Sequence, residues 1–144
     1  MASYNKYNIF VSDLTGKVHD LFGTAGSTAD VCKAMLSNTA PNAATHAVRA
    51  DVTELGTANG YTTGGQSCAN VGTTTTGTFT LVCTDIVWTA TGAVGPFRYV
   101  IMYNDTPTSP ADPLISWWDY GSGLSLANGE TFTLDFGAST FTLA

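Results

Sequence analysis

Phe97-Arg98-Tyr99-Val100-Ile101-Met102-Tyr103 is the densest apolar and aromatic stretch in the chain. Branched and aromatic side chains of this kind fit a pleated, extended backbone, so the stretch reads as a central strand. Successive side chains of a strand point to opposite faces, which predicts Phe97, Tyr99, Ile101 and Tyr103 on one face and Arg98, Val100 and Met102 on the other. Toward the C-terminus, Leu114–Trp118 reads as a second strand and Tyr120–Gly123 as a turn. Leu124–Leu126, Thr131–Phe136 and Thr140–Leu143 follow, separated by Asn128-Gly129 and Gly137-Ala138.

On the N-terminal side, Thr78–Thr84 shows half-buried alternation, with Phe79, Leu81 and Cys83 set against Thr78, Thr80 and Val82. Ser67–Val71 precedes it across the turn Gly72–Gly77, and Ile86–Thr89 continues it after a bend. The first half of the chain is less decided. Tyr7–Ser12 is a strand candidate, Asp13–Gly16 a turn, Lys17–Phe22 a return strand and Gly23–Ser27 a loop. Residues 28–38 fit two patterns. Val31, Cys32, Met35 and Leu36 make one helical face capped by Thr28, and the same residues make a buried strand. Pro41 ends the element either way. Asn42–Gly60 is a long connection with room for a helical turn near Arg49–Leu55, and Asn59-Gly60 is a turn.

Roughly six to nine short strands separated by turns predict an all-β fold. The expectation is a single-domain antiparallel β-sandwich over residues 1–144, jelly-roll-like, with at most one short helix and residues 1–6 as a candidate flexible arm. The composition agrees. Apolar residues are 44% of the 144, while charged residues are only 11%, against roughly 25% in an ordinary globular protein. Thr, Asn, Ser and Gly supply the polarity, suiting exposed strand positions and turns. A chain of this length buries about 68–70% of its unfolded surface without help from metals or disulfides.

Five Lys and Arg against eleven Asp and Glu give a net charge of −6. That argues against nucleic acid, which needs clustered cations, and against an anionic membrane. Low charge density also suits a surface that meets other protein. Met1 is followed by the polar run Ala2–Asn8, without the basic region and apolar core of a signal peptide, and no stretch approaches a membrane span. Cys32, Cys68 and Cys83 lack metal-type spacing, and the expectation is three reduced thiols in a protein folded in cytosol. A hairpin turning at Thr75–Thr76 would nonetheless set Cys68 opposite Cys83, where a cross-strand disulfide is geometrically possible.

Motifs of catalysis are incomplete. His19 and His46 stand without partners at ligand spacing, so no metal site is expected. Gly65-Gln66-Ser67-Cys68-Ala69 echoes a nucleophile elbow but lacks its second Gly and the surrounding α/β pattern. Gly72–Gly77 has the glycine spacing of a phosphate loop, but Thr78 stands where the Lys belongs. Asp105, Asp112 and Asp119 fall near loops, where Asp is ordinarily turn chemistry; a glycosidase pair or a calcium site would need them to converge. No enzyme, catalytic residue or cofactor is expected.

The aromatic cluster Trp88, Phe97, Tyr99, Tyr103, Trp117, Trp118 and Tyr120 is the most informative feature. Most of these rings should be core. Trp117 and Trp118 are adjacent, so in a strand they face opposite ways: one can fill the core while the other faces solvent or a partner. An exposed Trp on a low-charge surface is an interface anchor. Arg98 is free to salt-bridge a partner from the face opposite the aromatics. Arg98, Trp117, Trp118 and Tyr120 are therefore the candidate interface residues.

Several segments occur in a suggestive order: Asn38–Pro41, Asp51–Leu55, Asn59–Gly65, Asp85–Ala90, Gly95–Tyr99, Tyr103–Thr106, Trp117–Gly121 and Asn128–Phe132. Together they resemble the capsid cement (decoration) proteins of tailed bacteriophages, from about Val31 to Phe136. The resemblance implies a jelly-roll-like β domain bound outside a shell of major capsid protein, bridging neighbouring subunits after expansion. It also implies that residues 30–36 are a strand, and that the partners are major capsid protein and further copies of this chain on the lattice. The implied location is the outer capsid surface of a virion synthesised in a bacterial cytoplasm. A carbohydrate- or receptor-binding module of a tail fibre or head appendage is the alternative, because β-sandwiches with exposed Trp and loop Asp or Asn bind sugars.

Overall fold

The computed structural model describes residues 2–144. Its elements are β1 (Ser3–Lys6), α1 (Ile9–Thr15), β2 (Gly23–Thr24), β3 (Cys32–Ser37), a 3-10 turn (Arg49–Asp51), β4 (Gln66–Ser67), β5 (Val71–Thr75) and β6 (Thr78–Val82). β7 (Ile86–Thr89), β8 (Val94–Asn104), β9 (Leu114–Leu126), β10 (Thr131–Leu134) and β11 (Phe141–Leu143) complete the chain.

The Phe97–Tyr103 stretch lies within β8, at the centre of a five-stranded antiparallel sheet ordered β1-β9-β8-β3-β4. One face of that sheet presents Ala34, Leu36, Val100, Met102 and Ile115 to Leu81, Ile86, Trp88, Phe132 and Leu134, forming the main core. The second layer is made of the β7–β10 pair and a four-stranded sheet ordered β11-β6-β5-β2. The other face of the first sheet carries Met35, Ile101, Tyr103 and Leu114, packed with Tyr7, Val52 and Trp117 in a smaller core. Burial on both faces is why β8 reads as an unbroken apolar run. Each fully buried side chain of this size contributes about 1.5–3 kcal/mol, and Val100, Ile101 and Met102 are all fully buried.

The β-sandwich is as expected, but β8 is not a regular strand. Its register against β9 shifts between Phe97 and Tyr99. The extra residue of a bulge inverts side-chain facing. Phe97 consequently enters the main core, while Tyr99, Ile101 and Tyr103 enter the other. The four residues do not share one face.

The N-terminal expectations need the most correction. Tyr7–Ser12 is not a strand, since Ile9–Thr15 is helical. Phe10 and Leu14, one helical turn apart, both reach the main core, and Ile9 reaches the smaller one. Asp13–Gly16 is the end of this helix, closed by the Gly16 N–H on the Ser12 carbonyl at 2.8 Å. Lys17–Phe22 joins no ladder; only Gly23–Thr24 does, against Val71–Gly72. Within residues 1–6, Ser3–Lys6 is a strand on the edge of β9, running from Ser3 opposite Asp119 to Lys6 opposite Ser116. Residues 32–37 settle as a strand between β8 and β4. Tyr120–Gly123 does not turn, because β9 runs through it to Leu126.

The long connection lies over the smaller core, as Val52 shows, and contains the short helical turn at Arg49–Asp51. Glu54 anchors it. Its carboxylate accepts from Arg49 Nη2 at 2.8 Å, the Tyr61 hydroxyl at 2.6 Å and the Gly64 N–H at 2.6 Å. A carboxylate so satisfied can be buried at tolerable cost.

Candidate functional site

Strand β9 places the candidate interface residues. Trp117 and Trp118 do face opposite ways, yet neither is a bare anchor. Trp117 lies against the Tyr7 ring at 4.5 Å between centroids, closing the smaller core. Trp118 lies edge-on between Tyr4 at 5.5 Å and Phe136 at 5.6 Å, packed against the main core. Both are half-buried. Tyr120 meets Phe132 edge-on at 5.1 Å.

Arg98 is committed within the chain. Its Nε donates to Asp119 Oδ1 at 2.7 Å and its Nη2 to Oδ2 at 2.9 Å, a bidentate pair, and its guanidinium lies 5.2 Å from the Tyr99 ring. The Arg98 hydrogen bonds, with a further one from the Gly121 N–H, hold the Asp119 carboxyl below the usual carboxylate range. The bulge that separates Phe97 from Tyr99 brings Arg98 to Asp119, so the expected free cation on the opposite face is not found.

Two surfaces stand out. The first is a groove of about 510 Å³ lined by Tyr4, Trp118, Tyr120, Leu134, Phe136 and Thr140, with Asp135 the one charged residue among the described residues that line it. Trp118 and Tyr120 come from β9 and were legible in the sequence. Tyr4, 40% exposed, comes from β1 and was hidden by reading residues 1–6 as an arm. Phe136 follows β10 and reaches the groove only through the tertiary fold.

The second surface is the outer face of the four-stranded sheet. No charged residue occurs between Glu54 and Asp85, or after Asp135. Strands β5, β6 and β11 lie in these stretches, and β2 is Gly23-Thr24, so none of the four carries a charged side chain. Val71 pairs with Val82, Thr73 with Thr80 and Thr75 with Thr78, and Thr142 of β11 lies beyond Thr80. Val71 and Val82 are 37% and 40% exposed, and Phe22, immediately before β2, is 62% exposed. The result is a neutral face of valine and threonine on a chain whose net charge is −6.

The residues weighed for chemistry are scattered and mostly engaged. Asp105 bonds Lys33 at 2.8 Å, Asp112 lies 3.5 Å from Arg49, and Asp119 holds Arg98. His19 is buried, with Nδ1 at 3.1 Å from the Asn104 amide and Nε2 at 4.0 Å from Asp13. Desolvation lowers its pKa to about 4, so it is neutral at pH 7. His46 Nδ1 accepts from the Asn42 N–H at 3.3 Å. Ser67 lies on the short strand β4, its hydroxyl accepting from the Ala69 N–H. Gly72–Gly77 is hairpin. Among the described residues no group of three or more His, Cys, Asp and Glu is placed to hold a metal, and no helix is long and apolar enough to cross a membrane. Searches of protein-family models, curated proteins and solved structures found no match to the chain.

Proposed function

We propose that this chain is a structural virion protein that binds the outside of a phage capsid and cements neighbouring major capsid protein subunits, stabilising the expanded shell. The observation that carries this reading is the charge-free outer face of the β11-β6-β5-β2 sheet. Burying ion-free surface against a partner avoids the desolvation cost of charges, and protein contacts are depleted in Lys, Glu and Asp at their centres. The ordered segments that resemble cement proteins point the same way. In this reading the acidic remainder of the surface keeps the free protein soluble. Many copies on a symmetric lattice let each contact be modest, because avidity accumulates. Major capsid protein and neighbouring copies are the partners, the outer capsid surface is the location, and the role is not catalytic.

The test is co-sedimentation with expanded shells and the melting temperature of those shells. Bound protein should raise shell melting, and Val82→Lys with Val71→Lys, both on exposed positions, should abolish binding while the free protein still folds. Unchanged shell melting with no co-sedimentation would end this reading.

A second reading, a carbohydrate- or receptor-binding module, is favoured by one observation: Trp118 lines a concave groove with Tyr4 and Tyr120. Aromatic rings beside a carboxylate and hydroxyls are groups that stack on and hydrogen-bond a sugar. A glycan array separates the readings, with binding lost in Trp118→Ala if the groove is the site.

A further inference from the structure

Cys68 and Cys83 lie with their sulfurs 2.8 Å apart, Cys68 Sγ donating to Cys83 Sγ. Both are free thiols, 0% and 4% exposed. Their approach does not come from the hairpin ladder. That ladder pairs Thr75 with Thr78, and if it ran on it would set Cys68 opposite Asp85. Instead Ala69, with φ of 44°, breaks the extension between β4 and β5. Cys68 then returns toward β6, its carbonyl accepting from both the N–H and the hydroxyl of Thr84 at 2.7 Å. Its own N–H donates to the Cys32 carbonyl at 3.1 Å. Main-chain bonds on both sides thus hold the two sulfurs together.

We infer that Cys68 and Cys83 form an oxidation site, a buried dithiol that closes to an intrachain disulfide under a small oxidant of the peroxide class. Cys83 accepts the hydrogen bond, which holds its thiol below the usual cysteine range and pushes Cys68 above it. The Cys83 sulfur therefore gives up its proton first and attacks one peroxide oxygen. The O–O bond breaks, Cys83 becomes a sulfenic acid, and the departing hydroxide takes the proton and leaves as water. The Cys68 sulfur then attacks the Cys83 sulfur. The S–OH bond breaks, and that hydroxyl leaves with the Cys68 proton as a second water. Two thiols lose two electrons and one peroxide becomes two waters. Cys32 offers only its carbonyl to Cys68, and its thiol, pushed up by burial, stays reduced.

The crosslink would enclose the whole β5–β6 hairpin, which bears the uncharged face. Closing a loop of this size restricts the unfolded chain, giving an expected rise in melting temperature of roughly 10 °C. None of this depends on capsid binding.

The experiment treats the folded protein with hydrogen peroxide, then denatures and alkylates it for intact mass and peptide mapping. A parallel sample is refolded from denaturant in an oxidising glutathione buffer, where burial cannot shield the thiols. Alkylatable thiols should fall from three to one, with a linked Cys68–Cys83 peptide and a melting rise reversed by dithiothreitol. Cys32→Ala should form the same Cys68–Cys83 crosslink, its alkylatable thiols falling from two to none, and Cys83→Ala should form no crosslink. Three alkylatable thiols under both treatments, a crosslink through Cys32, or arrest of Cys83 at the sulfinic acid would each overturn the inference.

Discussion

His19 shows how one side chain can tie the fold to pH. It packs against Phe10 at 5.2 Å between rings and faces Asn104, Asp13 and Asp30 through a buried polar cluster. Desolvation lowers its pKa to about 4 despite the nearby Asp30 charge, against about 6.5 in an unfolded chain. Between those values the unfolded chain binds a proton that the folded chain does not, so stability falls as pH falls from 6.5 to 4 and is flat above. The contribution at stake is on the order of 3 kcal/mol. Asp13, whose pKa burial raises, acts in the opposite sense: its contribution is present at low pH and lost as pH rises through its folded pKa. Asp51 and Asp119, held low by hydrogen bonds, lose theirs only below the normal carboxylate range. Urea midpoints measured across that window should fall in the wild type and stay nearly level in His19→Gln. An equal slope in both proteins would remove His19 as the cause. In the sequence His19 stands alone, within a segment that reads as a return strand. Its burial was not legible, because Asn104 reaches it from 85 residues away.

The β5–β6 hairpin shows where sequence reading stops at the scale of an element. Four consecutive threonines, Thr73–Thr76, carry no internal marker of register. A turn at Thr75–Thr76 and one at Thr76–Gly77 alternate equally well. Backbone chirality decides. Thr76 and Gly77 have φ of 48° and 84°, and a two-residue hairpin turn with positive φ at both centres matches strand twist. Gly77→Ala should cost about 1 kcal/mol from backbone strain alone, since an added Cβ there meets nothing. Gly72→Ala should cost at least twice that, because its Cβ would collide with the Leu21 carbonyl and the Phe79 ring. Chemical denaturation of the two variants gives the ranking, and equal losses would refute it. Helix α1 was misread for a related reason. Tyr7, Ile9, Phe10 and Val11 satisfy a strand as readily as a helix, and the docking of Phe10 and Leu14 into one core selects the helix. By contrast β8 and the first part of β9, Leu114–Trp118, were legible as dense apolar runs, whereas residues 32–37 fit a helix as well as a strand until pairing with β8 and β4 decides.

At the scale of the whole molecule, charge is partitioned along the chain as well as around the surface. The stretch between Glu54 and Asp85 is uncharged, as is the tail after Asp135, and the two pair as β6 with β11. That segregation was present in the sequence but became a surface only when the sheet order joined distant segments. It also gives the capsid reading a signature that a charged interface would not share. Exposed ion pairs weaken as the Debye length shrinks from about 10 Å at 0.1 M salt to about 3 Å at 1 M. A contact through Val71, Thr73, Thr80 and Val82 has no charge to screen, and apolar burial is not weakened by such salt. Binding to expanded shells should therefore vary less than about threefold between 0.1 and 1 M sodium chloride, an energy change below about 0.7 kcal/mol. The acidic remainder makes an opposite outcome readable. If Asp and Glu instead met a basic capsid surface, affinity would drop steeply over the same range, and the interface would have to be sought away from the β11-β6-β5-β2 face. Titrating shells with labelled protein at the two salt concentrations, alongside Val82→Lys, distinguishes these outcomes, because the lysine should weaken binding at both concentrations if the neutral face is the contact.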